Sequence, residues 1–284
     1  MSVRVFAPAK INLTLQVGRP RADGYHPLQS AVVFADVGDW IEVEAADALT
    51  LTIEGEFAAG LEADESNLVL RAARLLDPAQ GAAIRLEKNL PIASGIGGGS
   101  SDAAATLLAL NEIWGLGHSL GDLARMAAKL GSDVPVCLNK RPAWITGAGE
   151  AVSPMRAPAL YAVLANPGQP ISTPAVYRRF DELGLGSGFA ARPAPVWTQA
   201  ADAVSAIESD GNDLEAPAAA LMPDLVVLLD AMRADARAVC ASQSGSGATC
   251  FALTQTGDDA RAMARELTAR NRDWWIRATT LGGA

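Results

Sequence analysis

The chain has 284 residues, of which 50% are hydrophobic and 19% charged, so it is not an intrinsically disordered protein. This length predicts one large or two smaller globular domains. The formal net charge of −9 argues against a nucleic-acid partner, which needs a basic surface. No apolar stretch is long enough to span a membrane, no signal peptide is visible, and the three cysteines lack the spacing of a metal site. We predict a soluble cytoplasmic protein without a membrane partner.

The first part of the chain is predicted to consist mainly of strands. Polar and apolar residues alternate from Val3 to Val17, which predicts a strand that breaks or bends at Pro8. A turn at Asp23-Gly24 follows. Further strands are predicted at Leu28–Phe34, Trp40–Glu44, Leu49–Ile53 and Ala83–Leu86, and a helix at Asn67–Leu76.

The second half mixes the two kinds of element without a regular strand–helix–strand repeat. Helices are predicted from the end of a glycine-rich stretch to Gly115, and from the N-cap Ser119 to Gly131. A Gly-, Pro- and Ala-rich stretch over 148–158 indicates a boundary between domains 1–152 and 153–284. Beyond it we predict strands at Tyr161–Ala165, Ala238–Ala241, Thr249–Leu253 and Trp274–Ala278, and helices at Val196–Ile207, Leu225–Ala234 and Asp258–Arg270. This order favours an α+β fold.

The stretch from Leu90 to Ala105 contains four glycines within five residues, followed by two serines and a predicted helix. Glycines bring backbone N–H groups close to a ligand, and a helix N-terminus attracts anions, so the pattern indicates a phosphate site or a connector without ligand. It is not a P-loop, because it lacks the Gly-Lys-Ser/Thr ending. Ser100 stands where a dinucleotide-binding motif needs its third glycine. Positive charge for a phosphate must therefore come from elsewhere in the chain.

Two charged residues stand among apolar neighbours. Lys10 begins an apolar strand, with Asn12 on the same face, and is either a half-exposed strand residue or a group held at a site. Asp133 lies in Gly131-Ser132-Asp133-Val134-Pro135. It either caps a short helix that begins near Pro135 or accepts a proton from a substrate hydroxyl beside a lysine.

Tyr25 and His26 directly follow the Asp23-Gly24 turn, which fixes their direction. A single histidine is more often structural, as we expect for His118, and a tyrosine is often part of the core. A second glycine- and serine-rich segment, 242–249, is either a hairpin connection or a second site.

Five segments together resemble the GHMP kinases, a family of small-molecule kinases. They are Pro91–Ala104, Ala7–Leu13, Asp23–His26, Gly131–Pro135 and Gly245–Phe251, so the resemblance covers nearly the whole chain. The segments around Lys10 and Tyr25 are similar to one branch of this family, which phosphorylates a cytidine-diphosphate-linked alcohol in the synthesis of isoprenoid precursors. The resemblance implies a two-domain α+β fold, with a ribosomal-protein-S5-like N-terminal domain, a ferredoxin-like C-terminal domain and the substrate cleft between them.

The same resemblance implies the roles of individual residues. Lys10 and Asp133 are expected at the reacting 2-hydroxyl of the substrate. The expected substrate-binding residues are Asn12, Tyr25, His26, Thr173 and Tyr177, with the two tyrosines on either side of the cytosine. ATP is expected to contact Asn67, Pro91, Gly95, Ile96, Gly97, Gly98, Gly99, Ser100, Ser101 and Asn111. Mg²⁺ is expected to bridge phosphate oxygens, with Ser101 as a candidate ligand.

The sequence leaves two other functions open. One is a GHMP kinase for a different small alcohol, of the homoserine or mevalonate type. The other is a nucleotide-binding sensor on the same fold without catalysis, although such a sensor needs neither Lys10 nor Asp133. The chain is expected to act as a monomer or a homodimer.

Overall fold

A computed structural model describes residues 2–186 and 190–282 of the chain. The strands are β1 (Ser2–Asn12), β2 (Gln16–Val17), β3 (Leu28–Ala45), β4 (Leu49–Glu54), β5 (Ala82–Glu87), β6 (Ala143–Thr146), β7 (Ala151–Pro154), β8 (Leu160–Asn166), β9 (Ala238–Gln243), β10 (Cys250–Thr254) and β11 (Trp275–Leu281). The helices are α1 (Leu68–Leu76), α2 (Gly98–Ile113), α3 (Leu120–Ala127), α4 (Val134–Asn139), α5 (Thr173–Glu182), α6 (Ala200–Asp210), α7 (Glu215–Leu221), α8 (Asp224–Arg233) and α9 (Gly257–Arg270). The predicted mixture of helices and strands is confirmed.

Of the break or bend predicted at Pro8, the break is wrong, and so is the gap predicted in the next strand; the single strand predicted from Val3 to Val17 instead forms β1 and β2. Pro8 lies inside β1, and the strands predicted on either side of residues 35–39 form the single strand β3. Gly38 explains why β3 continues, since a Cβ there would lie within 2.8 Å of Pro8 Cα and closer still to the Ala7 carbonyl oxygen. The glycine thus permits the close approach of β1, which pairs with β3.

Four elements were not predicted, namely β6, β7, α5 and α7. Pro174 lies in α5, and a proline usually argues against a helix. In the first turn it is well tolerated, because its missing N–H needs no partner there. The capping box predicted at Ser119 is present at the start of α3, where the Ser119 hydroxyl accepts from the backbone N–H of Asp122.

The described chain folds into two compact units, each built from several segments. The first contains residues up to 10, together with 37–92 and 97–140. In it, β5 pairs in parallel with β4 and antiparallel with the end of β3. Helix α2 is buried from Ser101 to Leu107, and its alanines allow α1 and α4 to pack closely on it.

The second unit contains residues 11–36, 93–96 and the described residues from 141 onward. Its antiparallel strands run in the order β11, β8, β10, β9, with Leu164 opposite both Arg277 and Phe251. Its core includes Phe180 of α5 and Leu228 of α8, both fully buried. The domain boundary at 152/153 stays a prediction. None of the described helices is both long and apolar enough to cross a bilayer.

Candidate functional site

Lys10 and Asp133 form an ion pair in the first unit. Lys10 Nζ lies 2.8 Å from Asp133 Oδ2. The lysine side chain is 5% exposed, whereas that of the aspartate is 40% exposed. An ammonium held in the protein therefore faces a carboxylate that solutes can reach. This geometry contradicts the alternative that Lys10 is a half-exposed strand residue.

Asp133 stands at the N-cap position of α4, yet within the described chain its side chain makes no capping hydrogen bond. Pro135, in the first turn, begins the helix without needing a side-chain cap. The alternative in which Asp133 acts as a helix cap is therefore wrong. Its carboxylate binds Lys10 instead and remains accessible.

The part of the stretch Leu90–Ala105 that precedes α2 is called the glycine loop below. It passes Lys10 at Gly97, the N-cap of α2. Gly97 has a φ of +63°, and a Cβ there would lie 3.1 Å from Lys10 Cβ, so a larger residue would push the lysine aside. As a glycine, Gly97 offers no capping side chain to the first turn of α2. The N–H groups of that turn, together with the positive end of the helix dipole, fit a phosphate group. Gly99, in the same turn, is exposed.

The other predicted ATP contacts in this stretch differ in exposure. Ser100 is half-buried, while Pro91 and Ile96 are buried. The Ser101 hydroxyl is buried and donates to the carbonyl oxygen of Pro8 at 2.6 Å, which fastens α2 to β1. Its role as a Mg²⁺ ligand stays a prediction. The described residues contain no group of three or more His, Cys, Asp or Glu side chains that could hold a metal ion.

Asn67 and Asn111, the predicted adenine-side contacts, both make local hydrogen bonds. Asn67 is the N-cap of α1, accepting from the backbone N–H of Val69 at 3.0 Å. Asn111 accepts from the backbone N–H of His118 at 3.0 Å and donates to its carbonyl oxygen at 3.1 Å, and so holds the loop after α2. Contacts of these two residues with ATP stay predictions.

Asn12 is held by hydrogen bonds in the second unit. Its side-chain Nδ2 donates to Ser30 Oγ at 2.7 Å, and its backbone N–H donates to Ser244 Oγ at 3.0 Å. Ser30 Oγ donates in turn to the carbonyl oxygen of Thr14 at 2.6 Å. Because this chain of hydrogen bonds orders the donors, the Asn12 amide has a fixed orientation.

His26 and Tyr177 lie together in the second unit, with ring centroids 5.0 Å apart. The His26 side chain is 8% exposed, and its Nε2 lies 2.9 Å from Asp181 Oδ1. Tyr25, by contrast, is 65% exposed. Its backbone N–H donates to Asp23 Oδ1 at 3.0 Å, which lowers the pKa of Asp23. The stacking of a base between Tyr25 and Tyr177 stays a prediction.

The second glycine loop joins β9 to β10, so the hairpin interpretation is confirmed. The loop also contacts the first one, because Ser244 Oγ donates to the Gly95 carbonyl oxygen at 3.0 Å and the Thr249 N–H donates to the Ser94 carbonyl oxygen at 3.0 Å. Thr173 Oγ1 lies 2.7 Å from Ser246 Oγ. The sequence did not predict Ser30 and Ser244 as partners of Asn12, or Asp181 as a partner of His26. Of these three, only Ser244 lies in the glycine- and serine-rich segment 242–249.

Comparisons with known proteins identify the family of this chain. The family model for the GHMP kinases N terminal domain matches residues 67–141, and the model for the GHMP kinases C terminal matches residues 197–273. A protein of Parvibaculum lavamentivorans is 47% identical over 98% of this chain and 97% of its own. A protein of Ruegeria pomeroyi is 48% identical over 97% of this chain and 98% of its own. Both are named 4-diphosphocytidyl-2-C-methyl-D-erythritol kinase.

A solved structure extends the similarity to the fold. The crystal structure of a 4-(cytidine 5'-diphospho)-2C-methyl-D-erythritol kinase superimposes with a TM-score of 0.79 at 34% identity. The match covers 99% of this chain and 100% of that one. Family models, full-length relatives and a solved fold thus agree with the resemblance of the motifs. The chain belongs to the GHMP kinases and, within them, to the family of 4-diphosphocytidyl-2-C-methyl-D-erythritol kinases.

Proposed function

We propose that this protein transfers the γ-phosphoryl group of ATP to the 2-hydroxyl of 4-(cytidine 5'-diphospho)-2-C-methyl-D-erythritol, a step in the synthesis of isoprenoid precursors. The names of its full-length relatives support this substrate. Dependence on Mg²⁺ and a cytoplasmic location belong to the same proposal.

The observation that carries the proposal is the pair of Lys10 and Asp133, whose Nζ and Oδ2 lie 2.8 Å apart. Asp133 is accessible and can accept the proton of a bound hydroxyl, or orient that hydroxyl for attack. The Lys10 ammonium offsets negative charge that develops on the reacting oxygens. Phosphoryl transfer needs little covalent work from the protein, so positioning and charge stabilisation are enough for catalysis.

The first turn of α2 supplies the proposed site for the ATP phosphates. Gly97 to Gly99 leave backbone N–H groups open to an anion, and Gly97 places that turn against Lys10. Bound Mg²⁺ neutralises phosphate charge, and because it keeps several waters it needs few protein ligands. The chain's own contribution is to hold the phosphates and to keep the Lys10 charge beside them.

The polar groups around His26 support recognition of a cytosine. A carboxylate only accepts hydrogen bonds, so Asp181 favours the tautomer of His26 that carries its proton on Nε2. In a neutral imidazole with that tautomer, the other ring nitrogen, Nδ1, is an acceptor. It suits the exocyclic amine of cytosine, which is a donor, better than the carbonyl oxygen that uracil has in its place.

The test combines a defined acceptor with isosteric variants. Asp133→Asn keeps the size of the side chain but cannot take a proton, so we expect kcat to fall by about 10²–10⁴-fold. Lys10→Met is expected to lower kcat as well, because it removes the charge at the reacting oxygens. Asp47→Asn, in an exposed turn, is the matched control and should leave kcat unchanged. Thermal unfolding of each variant checks that the fold is retained.

The acceptor panel separates the remaining functions. Each reaction contains ATP, Mg²⁺ and one alcohol: the cytidine-diphosphate-linked substrate, free methylerythritol, homoserine or mevalonate. Turnover only of the first, lost on chelation of Mg²⁺, is the expected result. Preferential turnover of homoserine or mevalonate would assign the chain to another kinase reaction, and ATP binding without any product would favour a sensor. Full activity in both variants would contradict the proposed roles of Lys10 and Asp133.

A further inference from the structure

A buried cluster of three charged residues, Lys88, Asp39 and Asp102, lies in the first unit and has no part in the proposed chemistry. Lys88 Nζ donates to Asp39 Oδ2 at 2.5 Å and to Asp102 Oδ2 at 2.7 Å. All three side chains are at most 3% exposed. Burying charged groups is strongly unfavourable unless they are well paired, so a cluster of this kind needs a reason.

The cluster lies directly beneath the glycine loop. A Cβ on Gly98, the first residue of α2, would lie 3.0 Å from Lys88 Nζ. Asp102 belongs to the second turn of the same helix. On the other side, Asp39 Oδ1 accepts from the backbone N–H of Leu90 at 2.8 Å. Through Lys88, the backbone that enters the loop is therefore connected to the helix that leaves it.

The three groups of the cluster also shift one another's pKa. Burial raises the pKa of Asp102 to about 8, with Lys88 opposing and Asp39 reinforcing that effect. Burial alone lowers the pKa of Lys88, but attraction to Asp102 and Asp39 outweighs it and raises that pKa. The three groups are thus electrostatically coupled, so removing one of them changes the balance of charge around the other two.

We propose that Lys88, Asp39 and Asp102 are positioning residues that fix the glycine loop and the first turn of α2 in the shape that binds the phosphates of ATP. This inference rests on the proposed function, because it takes the first turn of α2 as the phosphate site. The three residues act through the backbone and do not touch the substrate. Removing one member leaves a buried charge without its partner, and the loop then relaxes.

Two pairs of variants test the proposal. Lys88→Met removes the ammonium but keeps the length of the side chain. We expect the Kd of ATP alone, measured by calorimetry, and its KM to rise about tenfold, with kcat at saturating ATP within about threefold of the original. Asp102→Leu removes the acceptor for Lys88 and should have the same effect. Asp102→Asn keeps an oxygen for Lys88 and should restore ATP affinity to within about threefold of the original chain.

Two control variants separate positioning from general stability. Arg85→Met removes a cation from β5, the strand that ends one residue before Lys88; Arg85 is partly exposed and bonds Glu54 at 2.9 Å. Ile41→Val opens a small space at a fully buried residue of the same unit. Both should leave the Kd and KM of ATP unchanged, although Ile41→Val lowers the unfolding temperature.

The outcomes distinguish this proposal from the one it rests on. If the unchanged chain neither binds ATP nor transfers phosphate, the proposed function fails and this inference fails with it. If the unchanged chain does both and Lys88→Met and Asp102→Leu bind ATP equally well, only the positioning role is wrong. Equal losses in Asp102→Asn and Asp102→Leu, or in Ile41→Val, would also overturn it. If Lys88→Met does not fold, the two Asp102 variants decide.

Discussion

The two glycine- and serine-rich loops of this chain have similar compositions but different structural surroundings. The first leads into the N-terminus of α2, where Gly99 is exposed and Gly97 and Gly98 are half-buried. The second joins β9 to β10, and its Ser244 and Thr249 are fully buried. Glycine content therefore does not reveal whether a loop binds a ligand. The element that follows the loop is more informative, because a helix start offers N–H groups and a hairpin does not.

The hydrogen bonds of the second loop show what its glycines do instead. Gly245 O accepts from Gln243 Nε2 at 3.0 Å and from Asn212 Nδ2 at 2.9 Å. Ser244 connects Asn12 to Gly95, as described above. Several polar groups of this loop are thus bonded within the protein, and its glycines allow close packing of backbone against backbone. We infer that it supports the first loop.

The largest effect on stability is expected from Gly245→Ala in the second loop. Gly245 has a φ of +56°, and a Cβ there would lie 2.7 Å from the Gly95 carbonyl oxygen. Backbone strain and overlap together should lower the free energy of unfolding by about 3 kcal/mol, measured by urea denaturation. Gly184→Ala is the control, since its φ is +64° but its Cβ would meet no described atom within 4 Å. An equal loss in both variants would mean that the loops do not pack tightly.

A change of similar size, here in the free-energy barrier of the reaction, is expected from Gly97→Ala in the first loop. The new Cβ would lie 3.1 Å from Lys10 Cβ and 3.3 Å from its Cε, so Lys10 must move. Misplacing a catalytic group by about 1 Å can lower kcat by about 100-fold, and steady-state kinetics at saturating ATP measures this. Gly115→Ala, with the same φ of +63° and open space around its Cβ among the described residues, is the control for backbone strain. Similar kcat values in the two variants would mean that displacement of Lys10 does not cause the loss of activity.

A smaller loss is expected from Ser244→Ala, which removes the hydroxyl that connects Asn12 and Gly95. Two buried backbone groups lose a partner, so the free energy of unfolding should fall by about 1–3 kcal/mol. Chemical denaturation measures the change, and Ser205→Ala on the exposed face of α6 serves as the control. We expect kcat of Ser244→Ala to fall less than that of Gly97→Ala. The opposite order would mean that the second loop takes part in the reaction directly.

Much of the fold could be predicted because periodicity and capping are local signals. The capping box at Ser119 and the alternating burial of β5 are examples of such signals. The continuity of β3 could not be predicted, since Gly38 looks like a break until the approach of β1 is known. Helix α5 could not be predicted because a proline normally interrupts a helix. Pro174 is compatible with α5 only because it lies in the first turn, and the sequence alone does not show where that turn begins.

For the site, motifs identified Lys10, Asp133 and the glycine loop, and the structure adds the pairing of the two charged residues. The residues that orient the side chains of the site could not be predicted from the sequence. Asp181 lies 155 positions from His26, and Asp39 lies 49 positions from Lys88. No spacing rule connects residues so far apart, because only the packed chain brings them together. Sequence motifs therefore indicate the proposed reacting groups, but not the residues that hold them.

Gly99→Ala is expected to have the smallest effect on stability and gives the most direct test of the phosphate site. Gly99 is exposed in the first turn of α2, and a Cβ there would lie 3.4 Å from Leu68 Cδ1, an ordinary van der Waals contact. Because alanine favours a helix over glycine by about 0.5–1 kcal/mol, the unfolding temperature should stay the same or rise slightly. A methyl group at the open side of that turn should nevertheless keep a phosphate away from the N–H groups and raise the Kd of ATP. An unchanged Kd in a stable Gly99→Ala variant would mean that the phosphates bind elsewhere, and the first loop would then be a packing device like the second.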